Sequence, residues 1–439
     1  MSTPTTGSST EASPTPPSED HAEEQTKHGP SGQGALLRQV ASSPAVVGLL
    51  AVLTALILSS ILILAADSEV RYTATYLLNR PGDFLHATAS TLSEAYSSLL
   101  RGAVFDWRAT TGVRMIRPIT DTLTNATPLI IAGLGMAVAF RAGLFNIGGQ
   151  GQMILGAITS CYVGIAWNLP PVAHLLVAVV GAALGGLVWG GIAGVLKART
   201  GANEVIVTIM LNSIAAHLLS QVLSLKAFNG EGETGNRKSL TVADAAQYPS
   251  LAGDSFRLHA GFLLALLVAV AVWWLMERSR LGFQLRATGL NADAARTAGM
   301  SVPWVTSLVM MISGALCGLA ATAPVLGTQK SMDESVVGTI GFDAITVALL
   351  GRSRPLGTVL AGLLFGALRA GGTAMQAAPG THIKIVLVLQ STIVLFIAAP
   401  PLIRAIFRLP ERRDTLGGAD PSPASVPAAA PAAPAAKEA

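Results

Sequence analysis

The stretch Phe145-Asn-Ile-Gly-Gly-Gln-Gly-Gln152 puts three amide side chains and three glycines where two apolar runs meet, at about 126–142 and 147–167. A buried amide without a hydrogen-bond partner costs roughly 1–3 kcal/mol. At membrane depth, polar or irregular backbone persists only where it is buried in protein or lines a watery cavity. Two interpretations stay open: a tight turn between two spans, or a polar break beside a solute pathway lined by Asn146, Gln150 and Gln152.

The composition around this stretch is that of a membrane protein. Of 439 residues, 51% are hydrophobic and 12% charged, whereas soluble domains carry about 25% charged residues. Apolar runs of about 20 residues recur, enough to cross about 30 Å of hydrocarbon. The net charge of +4 is small and scattered, so nucleic acid is not an expected partner. The sequence predicts an all-α polytopic membrane protein embedded in lipid.

Ten apolar runs predict about ten transmembrane helices. They lie at about 44–65, 126–142, 147–167, 171–196, 204–225, 259–276, 302–326, 338–351, 356–375 and 383–404. The polar segment 1–43 and the Pro/Ala-rich segment 406–439 cannot bury enough apolar surface to fold, and are predicted to be disordered tails. The membrane domain is therefore expected at 44–405.

The short loops predict the orientation. In a ten-span arrangement one side collects most of the short-loop basic residues, and the positive-inside rule makes that side cytoplasmic. Both termini and the segment 277–301, which is the longest loop on that side, are then cytoplasmic. The basic residues concerned are Lys197, Arg199, Arg278, Arg280, Arg286, Arg296, Arg352, Arg354, Arg404, Arg408, Arg412 and Arg413.

Within 277–301 the sequence predicts a short helix of small residues. Asn291 is a suitable N-cap for Ala292–Ala298, and Gly299 is a suitable terminator. Such a helix, held outside the membrane between basic flanks, suits docking into a groove on a soluble partner. A plain solvated basic loop is the alternative.

Two further polar groups lie within or beside apolar runs. Glu204, Thr208 and Asn212 are spaced four residues apart and share one helix face, and Asp343 opens a short run. In a membrane such a stripe faces a helix or a cavity rather than lipid. Interhelical hydrogen bonding and pathway lining both remain open for these residues.

Small residues indicate how the helices pack. Glycines recur through 181–194 and at spacing four in Gly314/Gly318 and Gly362/Gly366, a pattern that lets helix backbones approach closely in lipid. Cys161 and Cys317 have no spaced partner and are expected to be core residues rather than metal ligands or a disulfide.

Nucleotide-binding and hydrolytic motifs are missing from the sequence. Lysine never follows glycine, so there is no Walker A loop, and no HExxH or GxSxG motif is present. If a nucleotide drives this protein, another chain must bind it.

In this light the sequence resembles the permeases of bacterial ABC importers, in the nucleoside and simple-sugar branch related to branched-chain amino-acid and ribose permeases. The resemblance covers about 125–405. It is carried by Thr127-Pro-Leu with Gly133-Leu-Gly135, by Phe145–Gln152, by Asn203-Glu-Val-Ile-Val-Thr-Ile-Met-Leu-Asn212, by Leu281-Gly with Arg286-Ala-Thr-Gly289, Ala294-Ala295 and Gly299, and by Gly341-Phe-Asp-Ala-Ile-Thr-Val-Ala-Leu-Leu-Gly351 with Pro355-Leu-Gly357.

The resemblance implies the membrane half of an importer in the bacterial cytoplasmic membrane. A cytoplasmic ATPase subunit would bind ATP and Mg²⁺, so this chain needs no cofactor and is no enzyme. A second permease, expected to be a paralogue, and an extracytoplasmic solute-binding lipoprotein complete the assembly. Ala292–Ala298 would be the coupling helix, with Arg286, Gly289, Ala294, Ala295 and Gly299 as coupling positions.

The expected activity is inward transport by alternating access. Amides offer donors and acceptors without net charge, which favours a neutral solute, a nucleoside first and a simple sugar second. A stand-alone ion-coupled secondary transporter is the alternative, with Glu204 or Asp343 at its ion site. A channel or scaffold is a third hypothesis.

Overall fold

The computed structural model describes residues 44–229 and 237–377, together with 391–392, 395–396, 402 and 405–408. The predicted tails and the run predicted at 383–404 lie wholly or mostly outside these residues. Within them the fold is helical, and the only β-type pairings are two isolated bridges. The helices are α1 Pro44–Ala66, α2 Ser68–Ala74, α3 Pro81–Ala103, α4 Gly112–Arg141, α5 Gly149–Ala166, α6 Pro171–Thr200, α7 Glu204–Leu223, α8 Lys226–Asn229, α9 Gly261–Arg278, α10 Arg280–Leu290, α11 Ala292–Thr297, α12 Val302–Ala320, α13 Ile340–Leu350 and α14 Pro355–Ala377.

Several of these helices are long and apolar enough to cross a bilayer. Within the described residues six meet that criterion, namely α4, α6, α7, α9, α14 and α12 with the π-helical turn Ala323–Thr328 that extends it. The pair α1 and α2, bent by 78°, makes a seventh if it is one span. The all-α multi-pass prediction is confirmed, while the number ten and the side of each terminus stay predictions.

Helix α4 begins much earlier than its apolar run. The run was expected from about 126, but the helix starts at Gly112 and contains Pro118 and Pro128. Neighbouring helices cover only part of this first half: Thr122 Oγ1 donates to the Ala103 carbonyl of α3 at 2.6 Å, whereas Val113, Ile116 and Ile119 are exposed. Hydropathy missed these turns because Arg114, Arg117 and Asp121 interrupt their apolar residues.

The glycine-rich faces of α6 and α12 pack directly against each other. A Cβ on Gly190 would lie 3.0 Å from the Gly314 Cα, and one on Gly318 would lie 2.9 Å from the Gly186 Cα. The packing role predicted for these glycines is confirmed. Gly366 of α14 packs in the same way on α4, where a Cβ would lie 2.6 Å from the Thr122 carbonyl oxygen.

The bundle has two distinct ends. At the first, which we call the basic end, the last residues of α4 and α9 meet through Arg141 and Glu277, and α6 joins α7 through Lys197 and Glu204. At the opposite end, the loop end, the segment Arg237–Ala260 folds over α5 and the residues after α12. The Val242 amide there donates to the Lys330 carbonyl at 2.9 Å.

Candidate functional site

The polar stretch of the sequence forms a break between α4 and α5. After Arg141 the chain leaves the helix, and it stays non-helical until Gly149. Gly143 adopts a φ of +72°, a conformation that favours glycine. The break leads from the basic end into the bundle, where Gly148 lies against Thr208 of α7.

Asn146 is the centre of the break and is completely buried. Its Nδ2 donates to Gln152 Oε1 at 3.0 Å and to Ser313 Oγ of α12 at 2.8 Å. Its Oδ1 accepts from the Gly148 amide at 2.9 Å and from Gln152 Nε2 at 3.2 Å. Both ends of the Asn146 amide are therefore hydrogen-bonded inside the protein.

Neighbouring elements hold the break from two more sides. On α7, Asn212 Oδ1 accepts from the Gly151 amide at 2.8 Å, and its Nδ2 donates to the Ile147 carbonyl at 2.9 Å. From the other side, Gln150 Nε2 donates to the Gly338 carbonyl at 2.6 Å. These hydrogen bonds fix the shape of the break. Solute contact by Asn146, Gln150, Gln152, Thr208 or Asn212 stays a prediction.

The two candidate carboxylates both lie in ion pairs. Glu204 Oε2 is 2.6 Å from Lys197 Nζ at the basic end. Asp343 Oδ2, in the first turn of α13, is 2.5 Å from Arg369 Nη2 of α14, and it accepts from Thr339 Oγ1 at 3.0 Å. Each carboxylate thus already has a cationic side chain as its partner.

Arg369 faces a cavity of about 420 Å³ between α4, α14 and the segment that precedes α13. We call it the Arg369 cavity. Polar side chains reach it from several elements, and the seven candidate pathway residues are not among its lining. Its polar lining residues are Thr124, Asn125, Arg257, Thr328, Gln329, Ser335, Thr339 and Arg369.

Sequence reasoning missed most of this lining. Asp343 was conspicuous as a charge at the start of a short apolar run, but its partner Arg369 lies 26 residues further along the sequence. Asn125 carried a usable signal, because an amide beside an apolar run is expensive unless it meets protein or water. Gln329 and Thr339 carried none.

The short helix predicted within 277–301 is present at the basic end. Asn291 Oδ1 accepts from the Asp293 and Ala294 amides at 3.0 and 2.9 Å, which caps α11, and Gly299 follows it with a φ of +80°. The helix is mostly exposed apart from Ala295. Leu290, just before it, leaves 88% of its surface exposed.

The exposed segment formed by Leu290 and α11 is held in place by Gly289, which contacts the start of the break, and by Arg286, which contacts α9. A Cβ on Gly289 would lie 2.5 Å from the Arg141 carbonyl oxygen and 2.6 Å from the Ala142 carbonyl carbon. Arg286 donates to the Met276 carbonyl and lies 3.4 Å from Glu277 Oε2, while Glu277 also pairs with Arg141 at 2.5 Å. The loop and the start of the break are thus in direct backbone contact.

The loop end carries a second cavity, of about 760 Å³. His259 is buried in its wall and stacks on Tyr248, with ring centroids 5.3 Å apart. Its Nδ1 accepts from the Gly261 amide at 3.1 Å. Burial, and secondarily the Arg257 guanidinium, lowers the pKa of His259 to about 4, so the imidazole is neutral at physiological pH.

Comparisons with known proteins agree with this architecture. The chain matches the family model for the branched-chain amino acid transport system / permease component over residues 119–398. It is 39% identical to the guanosine ABC transporter permease protein NupP of Bacillus subtilis (strain 168) over 289 residues, which are 66% of this chain and 83% of that protein.

Two further relatives differ in the solute that their names give. The glucose ABC transporter permease protein TsgB13 of Haloferax volcanii is 37% identical over 289 residues, 64% of this chain and 75% of that protein. A second Bacillus subtilis protein, the guanosine ABC transporter permease protein NupQ, is 26% identical over 258 residues, 56% of this chain and 79% of that protein. The extent of the family match, and the identity to NupP over most of that protein's length, show that this chain belongs to the family of branched-chain amino acid transport system permease components.

Proposed function

We propose that this chain is the permease subunit of an ATP-binding-cassette importer that moves a neutral polar solute inward. A nucleoside is the first choice and a simple sugar the second, because NupP is named for guanosine and TsgB13 for glucose. The partly exposed ion pair between Arg369 and Asp343, which borders the Arg369 cavity, carries no net charge, which suits an uncharged solute.

The observation that carries the proposal is the exposed helix α11, which directly follows α10, the helix whose Gly289 is in backbone contact with the start of the break. α11 docks on a cytoplasmic ATPase subunit, which binds ATP and Mg²⁺, while this chain itself is no enzyme and holds no cofactor. Leu290 and α11 offer the docking surface. The coupling positions fall into two groups. Ala294, Ala295 and Gly299 belong to α11 and its C-terminal end. Arg286 and Gly289 connect α10 to α9 and α4.

The assembly that we propose contains three further kinds of protein. A second permease pairs with this chain in the membrane, and it is a paralogue, since NupP and NupQ are two related permeases of one organism. An extracytoplasmic solute-binding lipoprotein delivers the solute at the loop end. The chain crosses the bacterial cytoplasmic membrane about ten times, with both termini and the basic end in the cytoplasm.

Alternating access follows from the mechanical connection at the basic end. ATP-driven closure of the ATPase moves α10 and α11, and Gly289 passes that displacement to Arg141–Gly143. The break then shifts relative to α7 and α12, whose glycine-packed neighbour α6 tolerates sliding without side-chain interlocking.

A stand-alone ion-coupled transporter finds no support in the carboxylates that would serve it. Glu204 and Asp343 already have cationic partners at 2.6 and 2.5 Å, so an added cation at either place would compete with a lysine or an arginine.

The test is solute uptake by cells that lack this gene and carry it again on a plasmid. We expect uptake of labelled guanosine, or of glucose, to return with the plasmid and to vanish when the ATPase subunit is inactivated. The control is the purified chain in liposomes under a proton or sodium gradient. Gradient-driven uptake there, without any ATPase, would overturn the proposal.

A further inference from the structure

An ion pair lies about two thirds of the way along α14 and is only partly covered. Arg369 is 14 residues from the start of α14, which is about 21 Å along an axis of about 33 Å at 1.5 Å per residue. The side chains of Arg369 and Asp343 remain 24% and 26% exposed. Charges at such depth face protein or water rather than lipid, and the Arg369 cavity supplies that water-accessible space.

Hydrogen-bond donors in the Arg369 cavity are left unused. Arg369 directs Nη2 at both Asp343 Oδ2 and Thr339 Oγ1, at 2.5 and 2.9 Å, and within the described residues its Nε and Nη1 have no partner. The side-chain amide of Asn125 likewise has no hydrogen bond to any described residue, unlike Asn146 and Asn212. A guanidinium has five N–H donors and an amide two donors and one acceptor.

The size and charge of the cavity define what it can hold. Its volume of about 420 Å³ falls within the range of about 300–1,000 Å³ usual for small-molecule sites. The Asp343 carboxylate balances the Arg369 guanidinium at its floor, and the second cation of its lining, Arg257, lies within electrostatic range of the Asp121 carboxylate. Donors without net positive charge match the hydroxyl and carbonyl oxygens of a neutral solute better than a phosphate or carboxylate.

We propose that the Arg369 cavity is the solute site on the extracytoplasmic half of this subunit's pathway, where Asn125, Thr339 and Arg369 bind the oxygen atoms of a neutral polyhydroxylated solute. The proposal rests on the proposed function for its direction of transport. Asp343 is a positioning residue: it orients the guanidinium and cancels its charge, which excludes anionic solutes. The amides of the break, which are hydrogen-bonded to one another, hold the backbone beside the site.

Cysteine labelling in the assembled transporter tests whether the cavity is wet and binds solute. Cys161 and Cys317 are buried, so the background reaction is low. N125C is compared with L360C, which replaces a residue of α14 that is 58% exposed on the outer surface of the bundle. Because thiolate forms in water and not in hydrocarbon, a hydrophilic maleimide added from outside should label N125C about tenfold faster than L360C.

Solute protection gives the second readout. We expect guanosine, uridine or glucose to slow the labelling of N125C at least about threefold, as an occupied site shields its lining. Equal labelling of N125C and L360C, or no protection by any of the three probes, would overturn the proposal. If the plasmid does not restore uptake while solute still protects N125C from labelling, the result counts against ATP-driven transport and not against the solute site.

Removing the carboxylate tests the charge argument. The D343N change leaves Arg369 unpaired, so guanosine monophosphate should slow the labelling of N125C/D343N but not of N125C. The matched control R369Q/D343N restores neutrality and should again ignore the monophosphate. If guanosine monophosphate protects N125C as well as guanosine does, the assignment to neutral solutes is wrong.

Discussion

Asn146 and Asn125 are two asparagines in one membrane domain with opposite hydrogen-bond status. Asn146 is completely buried and bonded at both ends of its amide, while Asn125 borders the Arg369 cavity with its amide unused. The first belongs to the scaffold and the second to the proposed site. Stability and transport should therefore separate between them.

We expect N146A to destabilise the protein and N125A to leave its stability unchanged. N146A strands Ser313 Oγ, both polar atoms of the Gln152 amide and the Gly148 amide, so the free energy of unfolding should fall by about 2–4 kcal/mol. N125A should change it by less than about 0.5 kcal/mol. Thermal melting of the detergent-purified chain measures both.

The same pair is then compared in uptake. N125A should lower the transport rate although its melting temperature is that of the wild type. A melting temperature for N146A equal to that of the wild type would mean that the amide network does not hold the break. S313A, which removes one acceptor only, is expected to fall between the two.

At residue level the sequence identified the break but not its partners. Three amides and three glycines within eight residues predicted that the amides meet protein or water, in either a tight turn or a polar break beside a pathway. The partners were out of reach because Asn146 meets Ser313 across 167 residues and Gln150 meets Gly338 across 188. Such pairings depend on how α12 and α13 pack, which no local pattern records.

Helix α6 and helix α12 approach each other closely at glycines over several turns. The Gly314 carbonyl and Cα lie so close to Gly186 and Gly190 that any side chain there must displace backbone. We expect G314V to separate the two helices and lower the melting temperature, with a loss of about 2–4 kcal/mol in unfolding free energy.

Gly181 on the same helix provides the matched control. A Cβ there would meet Val163 at 3.5 Å, an ordinary van der Waals contact, so G181A should be neutral or slightly stabilising because alanine favours helix more than glycine does. If G314V has the same melting temperature as G181A, then the α6–α12 packing described above does not form.

Elements with local end signals were predictable, whereas elements defined by their neighbours were not. Asn291 and Gly299 delimited α11 in the sequence, and the structure ends that helix at Thr297, one residue before the predicted end. The start of α4 and the π-helical turn Ala323–Thr328 had no such signal. The first turns of α4 carry charged residues and are largely exposed, and the π-helical turn depends on the protein that buries it, so hydropathy alone misplaces both.

Across the whole molecule, one line of contact joins the basic end to the interior. It runs from α11 through Gly289 to Arg141–Gly143, and from there along the break to Asn212 of α7 and Ser313 of α12. In the proposed importer, docking of the ATPase and transmission of its motion are thus assigned to adjacent but different residues. In this proposal Leu290 contacts the ATPase, and Gly289 transmits its motion to the break.

Substitutions at these two neighbours should break transport in different ways. L290D places a carboxylate in the apolar docking contact, so the ATPase subunit should no longer co-purify with the permease. G289A puts a Cβ 2.5 Å from the Arg141 carbonyl oxygen and forces α10 away from the break. The ATPase should then still co-purify and hydrolyse ATP, while uptake falls by about tenfold or more, the equivalent of about 1.4 kcal/mol in coupling.

The control L240D alters an exposed leucine at the loop end and should leave the ATPase bound. The pair of results distinguishes transmission from docking because both variants lose uptake but only one loses its partner. If G289A also releases the ATPase, Gly289 is part of the docking surface, and the contact with Arg141 does not carry the motion. If G289A transports normally, α10 tolerates displacement, and the basic end must reach the break by another route.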